Sequence, residues 1–232
     1  LASLEAAMLD IKGKALGVPV YELLGGRHRD RVPCYANAWF TGAREPADFA
    51  AKAEVAVRMG FKALKWDPFG SAYMRLNRED RNRAVAIVAA VRDAVGKDIE
   101  LLIEGHGRLN VPTAISIGQE LSQFRPYWFE EPIPPESIDA IAEVRAKCGI
   151  AVAAGERYYE PERFHELITK SAVDFLQPAL YVPETGTTPR HLVRDPSRHD
   201  VRITGSAVLR IERGCAWQVQ DADGSAPDAA SR

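Results

Sequence analysis

Three short apolar runs each end on an acid, and their spacing restricts the chain more than any other feature. LLIEGHGR supplies Glu104, YWFEEP supplies Glu130 and VAAGER supplies Glu156, at intervals of 26 residues. A helix-like segment fills each interval, so the acids recur once per strand-plus-helix unit. In parallel β/α architectures all strands point one way, and residues at equivalent strand ends converge on one rim, where such folds carry their sites. One such glutamate alone is an ion-pair partner or a helix-cap acceptor. Three on one rim repel one another unless a cation lies between them, and an all-oxygen set suits a hard ion such as Mg²⁺. The pattern therefore predicts a divalent-metal site on Glu104, Glu130 and Glu156.

At 232 residues, 46% hydrophobic and 27% charged, the chain can bury one sizeable core. A net charge of −2 provides no basic field for nucleic acid. Cys34, Cys148 and Cys215 are scattered and odd in number, which argues against a zinc CxxC site or a complete disulfide framework and favours a reducing, cytoplasmic setting. The opening LASLEAAMLDIKGKALG carries acids and lysines within an amphipathic pattern, so it reads as neither a signal peptide nor a membrane span. It also lacks an initiating Met. Leu4, Ala7, Met8 and Ile11 recur at helical spacing, and one helix with one apolar face needs a partner to bury it. A longer parent protein is expected.

Strand and helix signals then alternate. Strands are predicted at Val32–Phe40, Lys62–Asp67, Ile99–Glu104, Tyr127–Glu130, Ile150–Ala154 and Val173–Leu176, with helices after Pro46, Asn77, Pro112, Glu136 and Pro161. Six such units argue for a parallel sheet, and chemistry at successive strand ends favours a closed (β/α) TIM-like barrel over an open doubly wound sheet. No GxGxxG or GxxxxGK[ST] stretch follows a strand, so nucleotide binding has no support. Beyond Pro178 the pattern changes: His199–Thr204 offers a seventh strand, no eighth is evident, and DADGSAPDAASR reads as disordered. The expected organisation is a helix and linker over 1–31, a partial barrel over 32–178 and a divergent segment over 179–232.

LDIKGKALGVPVYELLGG, ALKWDPFG, LIEGHGR, WFEEPIPPE, AAGER and FLQP, in that order, resemble the mandelate racemase and muconate lactonizing branch of the enolase superfamily, nearest to its galactonate dehydratase-type acid-sugar dehydratases. The resemblance covers about Leu1 to Pro178. It implies a Mg²⁺-assisted hydro-lyase that takes the proton α to a carboxylate of a small sugar acid and stabilises the enediolate. It places the metal on Glu104, Glu130 and Glu156, and makes 1–31 the remnant of a capping domain. Many relatives carry a KxK pair on the second strand, whose second lysine is a base; here the pair is Lys65 and Asp67. Galactonate-type dehydratases instead place a histidine two residues after the third-strand ligand, where His106 stands. The residue chemistry agrees: side chains two apart on an extended strand face one way, and histidine titrates near neutrality. His106 is thus the expected acid that protonates the departing hydroxide.

Lys65 either neutralises the substrate carboxylate or pairs with Asp67 or a neighbouring glutamate. Arg157 either orients a carboxylate or pairs with one, and Asn37, Trp39 and Asp67 are candidate pocket residues. His28, His165, His191 and His199 receive no chemistry. The family's sixth strand ends in QPD and its seventh carries a histidine, together a catalytic dyad; here Ala179 and Ser206 stand at those positions. A serine hydroxyl does not replace that base. Three functions therefore remain open: dehydratase, racemase or cycloisomerase of the same superfamily, and a catalytically silent metal-binding remnant. A fragment, or a frame altered after about Pro178, would leave sheet edges open, and association into a homo-oligomer is expected.

Overall fold

The computed structural model describes residues 2–26 and 33–177, together with the backbone of 202–203. Six strands form one parallel sheet in chain order: β1 (Ala63–Trp66), β2 (Glu100–Glu104), β3 (Trp128–Glu130), β4 (Val152–Ala154), β5 (Phe175–Leu176) and β6 (Arg202–Ile203). The helices between them are α4 (Arg78–Val95), α5 (Val111–Leu121), α6 (Ile138–Lys147) and α7 (Pro161–Thr169), while α1 (Ala2–Leu16), α2 (Val20–Leu23) and α3 (Pro46–Arg58) precede β1. Strands β1 to β5, neighbours in sequence and in space and joined by helical crossovers, with β6 paired to β5, constitute a partial (β/α) barrel. Ala179, Ser206 and nearly all of 179–232 lie outside the described residues.

Local chemistry sets the helix starts. Asn77 caps α4 by accepting Asp80 N–H at 2.8 Å, and Asn110 caps α5 by accepting Thr113 N–H at 3.0 Å. Ser137 caps α6 in the same way. Each helix then turns one stripe inward: Ala84, Ile87, Val88 and Val91 of α4 are buried at the spacing of a helical face.

The sheet sorts its residues by period two. Leu64, Trp66, Leu101, Ile103, Phe129 and Val152 join the helices in the main core. Leu102, Trp128 and Ala153 form a second cluster, flanked by Tyr35, Ala63, Tyr127 and Phe175. Lys65, paired in register with Leu102, and Glu104, paired with Glu130, share the phase of this second face. It is the face that a barrel turns inward, and the charged residues stand at its C-terminal rim.

Over the described residues 33–40, the strand expected at Val32–Phe40 reduces to one parallel bridge, Ala36 to Leu64. Ala36 N–H donates to Ala63 O and Lys65 N–H donates to Ala36 O. Pairing then stops because the Asn37 side chain takes the Ala38 amide at 2.8 Å and Ala38 turns to a φ of 57°. A short polar side chain has outcompeted the ladder for a backbone group. Trp39 and Phe40 leave the sheet and pack edge-on against each other, with Phe49 against both. On α1, Leu4, Met8 and Ile11 are exposed.

At the start of α3, Asp48 accepts the backbone N–H groups of Glu45 at 2.9 Å and Arg44 at 3.0 Å. Those two donors, Glu45 first, hold its carboxyl below the ordinary value of 3.8. A depressed carboxyl stabilises the fold above its unfolded pKa and ceases to do so as pH falls through the folded one. Asp48→Ala should therefore lower the urea midpoint at pH 7, and the wild-type and variant midpoints should converge as pH drops below 3.8.

Candidate functional site

The rim is built from strand ends held in register. Glu104 and Glu130 are register partners at the ends of β2 and β3, and each is only 2% exposed. Two buried carboxylates side by side demand a cation, because burial and mutual repulsion both oppose their charge. Lys65 of β1 provides it: Nζ lies 2.8 Å from Glu104 Oε2 and 2.5 Å from Glu130 Oε1. Burial alone would lower the Lys65 pKa, but the charges of Glu104 and Glu130 outweigh it and raise it. Burial, then the charge of Glu130, push the Glu104 carboxyl upward against the pull of Lys65. Trp128 Nε1 and Gln177 Nε2 donate to the other oxygen of Glu130, at 3.1 and 3.2 Å.

Lys65 thus pairs with glutamates and not with Asp67. Asp67 faces the turn after β2, where its Oδ2 lies 2.7 Å from His106 Nδ1 and also receives the Arg108 guanidinium. The expectation that His106 continues an extended strand is corrected: β2 ends at Glu104, and His106 sits in a turn with a φ of 50°. Glu104 nevertheless meets it, because Glu104 Oε1 accepts the His106 backbone N–H at 2.8 Å. The bond to Asp67 is the main reason that the imidazole pKa lies above its ordinary value. Gly105 allows this turn to lie flat on its neighbour, since a Cβ there would stand 2.7 Å from Glu131 O and 2.9 Å from Pro132 Cα.

Arg157 pairs with Glu131, whose carboxyl is 3% exposed, and its Nη2 donates to His106 O at 3.0 Å. Burial is the largest cause that raises Glu131, to about 7, against the opposing guanidinium of Arg157. Asn37 is occupied by its own loop, accepting the Ala38 amide. Trp39 Nε1 donates to Lys65 O at 3.0 Å and so supports β1 from behind.

Glu156 is not gathered with the other two acids. It lies past Gly155 at the end of β4 with its side chain 46% exposed, and its ion partner is Arg157 at 3.9 Å. Among the described residues, no three His, Cys, Asp or Glu side chains come together as a metal-holding group. In donor type and charge demand the buried Glu104–Glu130 pair fits a hard divalent cation. The pair brings two of the expected three donors together.

Sequence reasoning missed Trp128, Gln177 and Arg108. Trp128 had a readable signal, since residues 128 and 130 of one strand face the same side. Arg108 had none, because its partners Asp67 and Gly70 lie in another β/α unit.

Residues 48–182, more than half of the chain, match the family model described as enolase C-terminal domain-like. The chain is 43% identical over 178 residues to a D-gluconate dehydratase of Thermoproteus tenax, covering 77% of this chain and 36% of that protein. It is 40% identical over 177 residues to a D-gluconate/D-galactonate dehydratase of Picrophilus torridus, covering 76% and 45%. Among solved structures, a mandelate racemase/muconate lactonizing enzyme-like protein from Rubrobacter xylanophilus is similar with a TM-score of 0.69 at 36% identity, over 78% of this chain and 52% of that one. A member of the enolase superfamily from Salmonella Typhimurium gives 0.71 at 30% identity, over 76% and 50%. The chain thus spans between about a third and a half of the length of these curated relatives.

Removing one partner of a buried ion pair leaves the other charge unpaired, at a cost of about 3–5 kcal/mol. Lys65→Met should lower stability by an amount of that order, read as the urea midpoint of unfolding. Adding Glu104→Gln to Lys65→Met should recover part of the loss, because the repulsion left behind is then removed.

Proposed function

The chain belongs to the enolase superfamily, in its C-terminal domain-like family, and from that premise we propose that it carries part of the active site of a Mg²⁺-dependent acid-sugar dehydratase. The observation that supports this best is the buried Glu104–Glu130 pair with Lys65, one hydrogen bond away from His106, on the strand-end rim. The likeness to proteins named for gluconate and galactonate dehydration supports an aldonate substrate.

In this reading Glu104 and Glu130, with Glu156 from the end of β4, hold the divalent cation. When bound, the cation acts as a Lewis acid that acidifies the C–H next to the substrate carboxylate. Lys65, kept charged by its glutamate neighbours, supplies positive charge for that carboxylate. The proton α to the carboxylate passes to a base that no described residue provides, and His106 gives a proton to the hydroxide leaving the next carbon, which departs as water. The remaining enol tautomerises to a 2-keto-3-deoxy acid. Held between two carboxylates, Lys65 is a cation and not a base.

A second reading is favoured by Ala179 and Ser206, which stand where the resemblance implies an Asp/His pair for the α-proton. On that reading the chain binds metal without chemistry. Mg²⁺-dependent turnover of a panel of aldonic and aldaric acids, followed by NMR in D₂O, separates the two. Formation of a 2-keto-3-deoxy acid that falls about 10²–10⁴-fold in His106→Asn is the expected outcome for the dehydratase. An epimer or a rearranged lactone would assign the chain to the racemase or cycloisomerase chemistry instead. Metal binding with no exchange of the α-proton across the panel would favour the silent remnant.

A further inference from the structure

Asp67, just past the end of β1, is 13% exposed at its side chain, and both of its oxygens face donors. Oδ1 accepts the Phe69 backbone N–H at 2.8 Å. Oδ2 accepts the Arg108 guanidinium and lies 2.7 Å from His106 Nδ1. A backbone amide and a guanidinium can only donate, so both Asp67 oxygens serve as acceptors. With Asp67 in that acceptor role, His106 Nδ1 is the donor of the bond that joins them. A neutral imidazole has a single N–H, which leaves the lone pair on Nε2. No described residue hydrogen-bonds Nε2.

The remaining contacts hold this arrangement at both ends. Arg108 is itself fixed by Gly70 O, which accepts from Nη1 at 2.7 Å. The His106 backbone is pinned by Glu104 at its N–H and by Arg157 at its carbonyl. The ring is therefore anchored through its own backbone and through Nδ1.

We propose that Asp67 is a positioning residue that locks His106 in the Nδ1–H tautomer, so that Nε2 alone exchanges a proton with the bound sugar acid. This rests on the reading of His106 as the acid–base group. It replaces the expectation that Asp67 binds substrate, since both Asp67 oxygens are already engaged within the protein.

The test uses the full chain labelled with ¹⁵N-histidine, at a pH where the imidazole is neutral. Two-bond ¹H–¹⁵N correlations report which ring nitrogen carries the proton, and His106→Asn identifies the His106 signal by its loss. The expected spectrum shows a protonated Nδ1 and a bare Nε2 for His106. A protonated Nε2 with a bare Nδ1 overturns the proposal. In Asp67→Ala the proton should move to Nε2, and persistence of Nδ1–H would assign the tautomer to something other than Asp67. If Asp67→Ala does not fold, the wild-type spectrum decides alone. Turnover is read separately: an Nδ1–H spectrum without turnover counts against the dehydratase reading and leaves the tautomer lock standing, whereas turnover with an Nε2–H spectrum does the reverse.

Discussion

Two carboxylates buried side by side are the constraint on which this rim depends. Glu104 and Glu130 reach their positions because β2 and β3 pair in register, and that pairing is dictated by apolar residues on the opposite face of the sheet. The hydrophobic core thus forces like charges together, and the charge of Lys65 offsets their repulsion from β1. Such a cluster is weak evidence for stability, because the desolvation of three ions consumes much of their attraction. Its persistence in a sheet that could have packed Leu or Met there points to chemistry instead.

Around the cluster, groups are held by neighbours from other β/α units, and Glu130 also by Trp128 of its own strand. Trp128 and Gln177 fix one oxygen of Glu130 while Lys65 takes the other. Arg157 ties Glu131 to the carbonyl of His106, and so links the loops after β2, β3 and β4. Gly155 permits a comparably close approach farther along the rim: at a φ of 155°, a Cβ there would lie 2.6 Å from the backbone of Gln177. The spacing of the rim is thus set by backbone against backbone, and the side chains inherit their positions from it.

Much of this was legible in the residues. The apolar runs that became β1 to β5 were short and ended in polar groups, and Asn77 marked a helix start that the structure caps through its side chain. Val32–Phe40 misled because its alternation resembles a strand, while the bond from the Asn37 side chain to the Ala38 amide is a local competitor that periodicity does not register. The spacing of Glu104, Glu130 and Glu156 located three acids on one rim, yet spacing says nothing about side-chain direction past the strand end. Glu156 lies beyond a glycine and turns towards Arg157. The Asp67–His106–Arg108 group was illegible because Asp67 stands 39 and 41 residues from His106 and Arg108 and meets them only after two successive units have packed.

The loop after β1 and the loop after β2 exchange backbone bonds in both directions: Met74 N–H donates to Arg108 O at 2.7 Å, and Asn110 N–H donates to Met74 O at 2.9 Å. With Arg108 also gripping Gly70 O, neither loop has a conformation of its own. Barrels of this type are commonly treated as modular, with each loop free to vary on a constant scaffold. Here the module is two loops wide. A recombination point between residues 76 and 100 would separate partners shaped for each other, so chimaeras with relatives should keep function only when both loops come from one parent.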